Sequence, residues 1–254
     1  MRYAGWPGRR RVSRVFENEQ RSLLSLDAVT LDAGGTRLIR PVTADIPLGA
    51  RTVVLGPNGA GKSLLLRLCH GLITPTSGRL EWLPGTAKAP PRQAMVFDRP
   101  VLLYRSVAAN IRYPLEATRV PRREHAERLR EALVFAGLEQ RARQFAPTLS
   151  AGQKQRLALA RAWALRPDVL FLDEPTAHLD LAATRDIETM INAIHHKLAG
   201  VILTTHDLAQ ARRIADHVVF VHKGKVIEWG AADSFFDRPR APEARRFLNG
   251  ELFE

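Results

Sequence analysis

Apolar positions along this chain come in strand-sized blocks, with a long helical stretch set between two groups of them. Residues 23–31 place Leu23, Leu24, Leu26, Val29 and Leu31 among Ser25, Asp27 and Thr30, a strand pattern, and Asp32-Ala33-Gly34-Gly35 follows as a turn. Residues 37–45 and then Arg51-Thr52-Val53-Val54-Leu55 are expected to complete a first sheet region. The helix-forming run Leu64-Leu65-Leu66-Arg67-Leu68 is predicted to stop at Gly71, and Pro75-Thr76-Ser77-Gly78 turns the chain into a short strand at 79–82. Residues 85–91, rich in Pro, Gly and Ala, read as a loop, and Met95-Val96-Phe97 as a buried strand end.

From about residue 99 to 147 helical periodicity dominates, most plainly over 122–133. The apolar blocks then return as Val169-Leu170-Phe171-Leu172, Val201-Ile202-Leu203-Thr204 and Val218-Val219-Phe220-Val221, separated by helical segments as parallel βαβ units require. Lys223-Gly224-Lys225 makes a tight turn before Val226-Ile227-Glu228, and residues 235–248 form a helical segment interrupted by Pro239 and Pro242. The pattern predicts an α/β fold with an α-helical subdomain inserted in the core at about 99–160, an antiparallel β region near the N-terminus, and one domain over 22–254. Residues 1–21 hold six arginines and no clear period, and read as a flexible basic extension.

The loop between the strand at 51–55 and the helix after it is Gly56-Pro57-Asn58-Gly59-Ala60-Gly61-Lys62-Ser63, followed by Leu64. Strand, glycine-rich loop and helix N-terminus in that order turn G-x-x-x-x-G-K-[ST] into a phosphate site. The glycines let successive N–H groups point at phosphate oxygens, and the helix adds its positive end and its unpaired donors. Lys62 is expected to reach the β- and γ-phosphates of ATP and Ser63 to ligate Mg²⁺, with residues Gly56 through Leu64 forming the nucleotide cradle.

The run Val169-Leu170-Phe171-Leu172 ends in Asp173-Glu174. A buried central strand delivers such acids to the carboxyl edge of the sheet, where open α/β folds bind ligands. Asp173 is placed to hold Mg²⁺ through water, and Glu174 to act as general base on the attacking water. Farther back, Leu149-Ser150-Ala151-Gly152-Gln153 opens a strong helix former, with Ser150 as a natural N-cap.

With 254 residues the chain is long enough for one large domain carrying an inserted lobe. No apolar run approaches bilayer length, and the basic start lacks the apolar core of a secretory signal. Cys69 is the only cysteine, which rules out an intrachain disulfide and fits a reducing cytosol. The net charge of +12 suits ATP, anionic lipid or nucleic acid as partner, and equally suits a solvated arginine-rich surface.

The phosphate loop at Gly56–Ser63, Leu-Ser-x-Gly-Gln at 149–153, Asp173-Glu174-Pro175-Thr176, Ala177-His178-Leu179-Asp180 and Thr204-Thr205-His206-Asp207, in that order, resemble the nucleotide-binding subunit of an ABC transporter over about 23–254. The resemblance implies a P-loop, RecA-like core and a head-to-tail dimer of two copies with two ATPs sandwiched between them. It implies that Ser150, Gly152 and Gln153 contact the γ-phosphate bound to the other subunit, that His206 contacts the γ-phosphate and positions the water, and that Asp180 couples the two sites. It further implies separate transmembrane permease subunits, a substrate-binding protein acting indirectly, and a peripheral location on the cytoplasmic face of the membrane. Of the subfamilies, the segments at 96–111 and 235–239 look most like tungstate and related oxyanion importers, and the chain ends too soon for the extra β-domain of sugar importers. The alternatives are a soluble ABC ATPase acting on nucleic acid or ribosomes, and a weakly catalytic regulatory ABC protein.

Two positions depart from the family pattern. Asp98 stands where the family has a glutamine that ligates Mg²⁺; it is expected to bind the metal while weakening coupling or turnover. Ala33 stands where an aromatic residue usually stacks on adenine, so poor discrimination between ATP and GTP is expected. The apolar cluster Val101-Leu102-Leu103-Tyr104 fits either a docking patch for a permease helix or a piece of core.

Overall fold

The computed structural model describes residues 22–83, 90–198 and 200–251. The expected N-terminal extension, and all but Pro90 and Pro91 of the 85–91 loop, lie outside them. Strands β1 (Ser22–Ala33) and β2 (Thr36–Pro47) form a hairpin, and β4 (Ser77–Trp82) pairs on the other side of β1, all antiparallel. A second sheet has the order β5-β6-β7-β3-β8-β9, built from β3 (Arg51–Leu55), β5 (Gln93–Val96), β6 (Val169–Asp173), β7 (Gly200–Thr205), β8 (His217–His222) and β9 (Lys225–Ala231). All neighbours in it are parallel except β8 and β9.

The run at 51–55 therefore does not complete the N-terminal sheet, as its adjacency to 37–45 suggested. It sits at the centre of the second sheet, between β7 and β8. The reason is visible in its composition: Thr52 to Leu55 are buried on both faces, as an interior parallel strand must be, whereas β2 alternates buried and exposed residues. The pattern at Met95-Val96-Phe97 predicts burial to its end, but β5 stops at Val96 and Phe97 is 38% exposed.

Two cores lie on the two faces of the second sheet, and the two-residue period of its strands divides them. Val54, Val169, Phe171, Ile202 and Val219 face the core shared with the antiparallel sheet and helix α1 (Lys62–His70). Val53, Leu170, Leu172, Leu203 and Phe220 face the other core, which the remaining helices cover. Between β5 and β6 the chain forms α2 (Val107–Ala117), α3 (Arg122–Ala136) and α4 (Ala151–Ala164). After β6 come α5 (Leu181–His195) and, beyond β7, α6 (Leu208–Ile214). The segment at 235–248 divides into α7 (Ala232–Asp237) and α8 (Pro242–Leu248), with Pro242 in the first turn of α8, where its missing N–H costs nothing.

Candidate nucleotide site

The phosphate loop leaves the carboxyl end of β3 and enters α1. Gly56 is required where it stands, because an added Cβ would lie 2.1 Å from the Val221 carbonyl oxygen. Among the described residues no side chain caps the first turn of α1, whose N-cap is Gly61. Its leading N–H groups are thus open to an anion. Lys62 is buried, and its Nζ donates to the carbonyls of Gly56 (3.0 Å) and Pro57 (3.1 Å). The lysine is held across the mouth of the loop it belongs to.

Register brings the other groups to this loop. Asp173, the last residue of β6, pairs with Thr204 of β7, and Val54 of β3 pairs with the same Thr204. Ser63 Oγ donates to Asp173 Oδ1 at 2.7 Å, and Arg67, one turn along α1, stands 3.6 Å from Asp173 Oδ2. Glu174 lies just past the strand with φ +42°. One oxygen of its carboxylate, Oε1, is 3.3 Å from Lys62 Nζ, and the other, Oε2, is 3.0 Å from His206 Nδ1. Two cations, two carboxylates, a hydroxyl and an imidazole thus meet at the carboxyl ends of three adjacent parallel strands.

The family model for ABC transporters matches residues 39–177. The chain belongs to the ABC transporter family. It is 38% identical over 248 residues to the phosphate import ATP-binding protein PstB 2 of Natronomonas pharaonis, covering 90% of this chain and 87% of that protein. It is 34% identical over 249 residues to the methionine import ATP-binding protein MetN 2 of Rhodococcus jostii, covering 94% of this chain and 69% of that protein. A solved structure, cbiO1 from Clostridium perfringens, part of the ABC transporter complex cbiONQ, superposes with a TM-score of 0.77 at 28% identity, covering 92% of this chain and 96% of that one. The mixed α/β architecture, with its antiparallel N-terminal sheet, is the ABC ATPase fold.

Other positions of this ABC ATPase that the resemblance singled out do not bond to that cluster. Ser150 and Gln153 are occupied with each other in a capping box: Gln153 N donates to Ser150 Oγ (3.3 Å), and Ser150 N to Gln153 Oε1 (3.0 Å). Gly152 abuts α5, where an added Cβ would meet the Ala183 Cβ at 2.7 Å. Asp180 caps that same helix, accepting from Ala183 N at 2.7 Å. The two segments implied to act across a dimer are therefore neighbours on one chain, joined at Ala183. Asp98 is exposed and lies two residues past the end of β5, beyond the last β5–β6 pair, Val96 with Leu172. Ala33 is exposed at the turn of the β1–β2 hairpin. Val101 and Tyr104 are 81% and 84% exposed while Leu102 packs on the core, so the cluster at 101–104 is mostly surface. A cleft of about 270 Å³ beside it is lined by Phe97, Pro100, Val101, Pro114 and Leu165. Asn110, fully buried, shapes that loop by bonding the backbone of Leu103 and Ser106.

The site contacts of three residues escaped the sequence reading. Arg67 is four residues beyond Ser63, hence on the same face of α1, a spacing that could have exposed it. Gln210 is buried and donates to Thr176 Oγ1 at 2.8 Å, tying the chain after Glu174 to the helix after His206. Thr204 bonds both Asp173 and Glu174; only its register against β6 reveals that.

Proposed function

We propose that this chain is the ATP-hydrolysing subunit of an ABC importer, working as a head-to-tail pair with ATP between its copies. The observation that carries the proposal is the convergence of Lys62 and His206 on the two oxygens of Glu174. In this reading Lys62 and the loop from Gly56 to Leu64 hold the phosphates. Glu174 takes a proton from the attacking water as its oxygen bonds the γ-phosphorus. The bond from that phosphorus to the bridging oxygen breaks, and ADP and phosphate leave. His206 orients Glu174 and the γ-phosphate. The oxygen donors Ser63 and Asp173, already 2.7 Å apart, suit a small hard cation. Mg²⁺ would be held by them with Asp98, and supplies neutralisation of phosphate charge when bound. Ser150, Gly152, Gln153 and Asp180 are assigned to the partner copy's nucleotide.

The same reading assigns separate permease subunits, docking on the cleft beside Val101 and Tyr104, a substrate-binding protein acting through them, and a peripheral location at the cytoplasmic face of the membrane. Among the described residues no helix is long and apolar enough to cross a membrane. The phosphate-import relative supports an oxyanion as cargo, with tungstate as the proposed member of that class. With ATP present, Glu174→Gln should accumulate as a closed dimer on size-exclusion chromatography with light scattering, and should hydrolyse little. A native rate in that variant would remove Glu174 from the base role. Deleting the gene should cost the host uptake of tungstate or a related oxyanion; loss of methionine uptake instead would overturn the cargo assignment.

A further inference from the structure

Thr204 is fully buried near the end of β7, level with Asp173 on one side and Val54 on the other. Its single hydroxyl makes two bonds. It donates to Asp173 Oδ1 at 2.8 Å, and it accepts from the Glu174 N–H at 2.8 Å. Asp173 Oδ1 also receives Ser63 Oγ at 2.7 Å, so one carboxylate oxygen is shared between a hydroxyl of the phosphate loop and a hydroxyl of β7. Because threonine is branched at Cβ, its hydroxyl has few directions open to it in a strand.

The second bond matters for backbone shape. Glu174 stands at φ +42°, in the left-handed region that a residue with a side chain occupies only when its surroundings hold it there. Its N–H is held by Thr204, and its carbonyl accepts from Ala177 N at 3.1 Å, closing a turn. Gln210 then secures that turn through Thr176. Without the hydroxyl, the N–H has no acceptor on β7 and the turn loses its first restraint.

We propose that Thr204 is the positioning residue of this ATPase: through one hydroxyl it locks the backbone of the general base and the carboxylate of the metal-holding aspartate in a fixed relation. The role rests on the assignment of Glu174 as base. Thr204 touches neither water nor phosphate in it and acts only through Asp173 and Glu174.

Valine has the same branching and fills the same space without the hydroxyl, and serine keeps the hydroxyl without the methyl. In the full-length chain, Thr204→Val should lose roughly tenfold or more in kcat, while KM for ATP moves by no more than about twofold, since misplacement of a reacting group costs rate rather than ground-state binding. Thr204→Ser should keep kcat within about threefold of the native value, because the two bonds are restored. A native kcat in Thr204→Val, an effect confined to KM, or equal impairment in both variants overturns the proposal. Glu174→Gln, measured beside them, separates the two assignments. If it hydrolyses at the native rate, the base assignment fails and takes the role of Thr204 with it. If it is inactive while Thr204→Val is native, only the role of Thr204 fails.

Discussion

The ammonium of Lys62 stands 3.3 Å from the carboxylate of Glu174, although the two residues belong to elements more than a hundred positions apart. Lys62 is buried and Glu174 is only partly exposed, so neither charge is well screened by water. The pair joins the phosphate loop to the end of β6 before any substrate chemistry is considered.

Lys62→Ala should therefore bind nucleotide poorly. A charge-assisted hydrogen bond is worth about 1.5–3 kcal/mol, which corresponds to a loss of roughly 10- to 150-fold in affinity. Calorimetric titration with ADP measures this in the absence of hydrolysis, and an unchanged affinity would remove Lys62 from the phosphate site.

Asp98 is exposed just beyond the carboxyl end of β5, the strand beside β6, and as a proposed Mg²⁺ ligand it adds a negative charge near the γ-phosphate. At a few ångströms in a water-accessible setting such a charge is worth roughly 1 kcal/mol, or about fivefold in rate. Asp98→Gln should raise ATPase turnover by about that factor. Equal rates, both in the isolated chain and with the permease assembled, would count against a cost at this position.

The hairpin tip offers Ala33 where the family resemblance calls for an aromatic ring. Base stacking contributes roughly 1–3 kcal/mol, so ATP and GTP should compete on nearly equal terms, and Ala33→Tyr should tighten ATP binding by about tenfold. A chain lacking residues 1–20 that still strongly prefers ATP in a competition assay would contradict this.

Burial pushes the imidazole of His217 down to about 4, beside Trp229 and away from solvent. The folded protein thus keeps His217 neutral where the unfolded chain, with its ordinary value near 6.5, takes up a proton. Between those values the unfolded state binds more protons, so this residue subtracts stability as pH falls from about 6.5 toward 4, by at most about 3 kcal/mol. Chemical denaturation at several pH values should show the native protein losing stability over that window and His217→Phe losing less. Parallel pH profiles for the two would refute the assignment.

The contiguous pieces were determined by the sequence alone. The loop from Gly56 to Ser63 is legible locally, since its glycines and the strand and helix that flank it are adjacent in the chain, although the demand for glycine at 56 comes from the Val221 carbonyl of β8. The caps at Ser150 and Asp180, and the two-residue alternation that divides the cores, are local in the same way. Only the tertiary structure decided that β3 lies between β7 and β8 rather than beside β2: the apolar run of β3 marks an interior strand, but which strands flank it is chosen by burial across the whole sheet. The meeting of Lys62, Glu174 and His206, and the two bonds of Thr204, follow from that order. A hydrogen bond between strands depends on their register, and register is set when separate segments pack against one another.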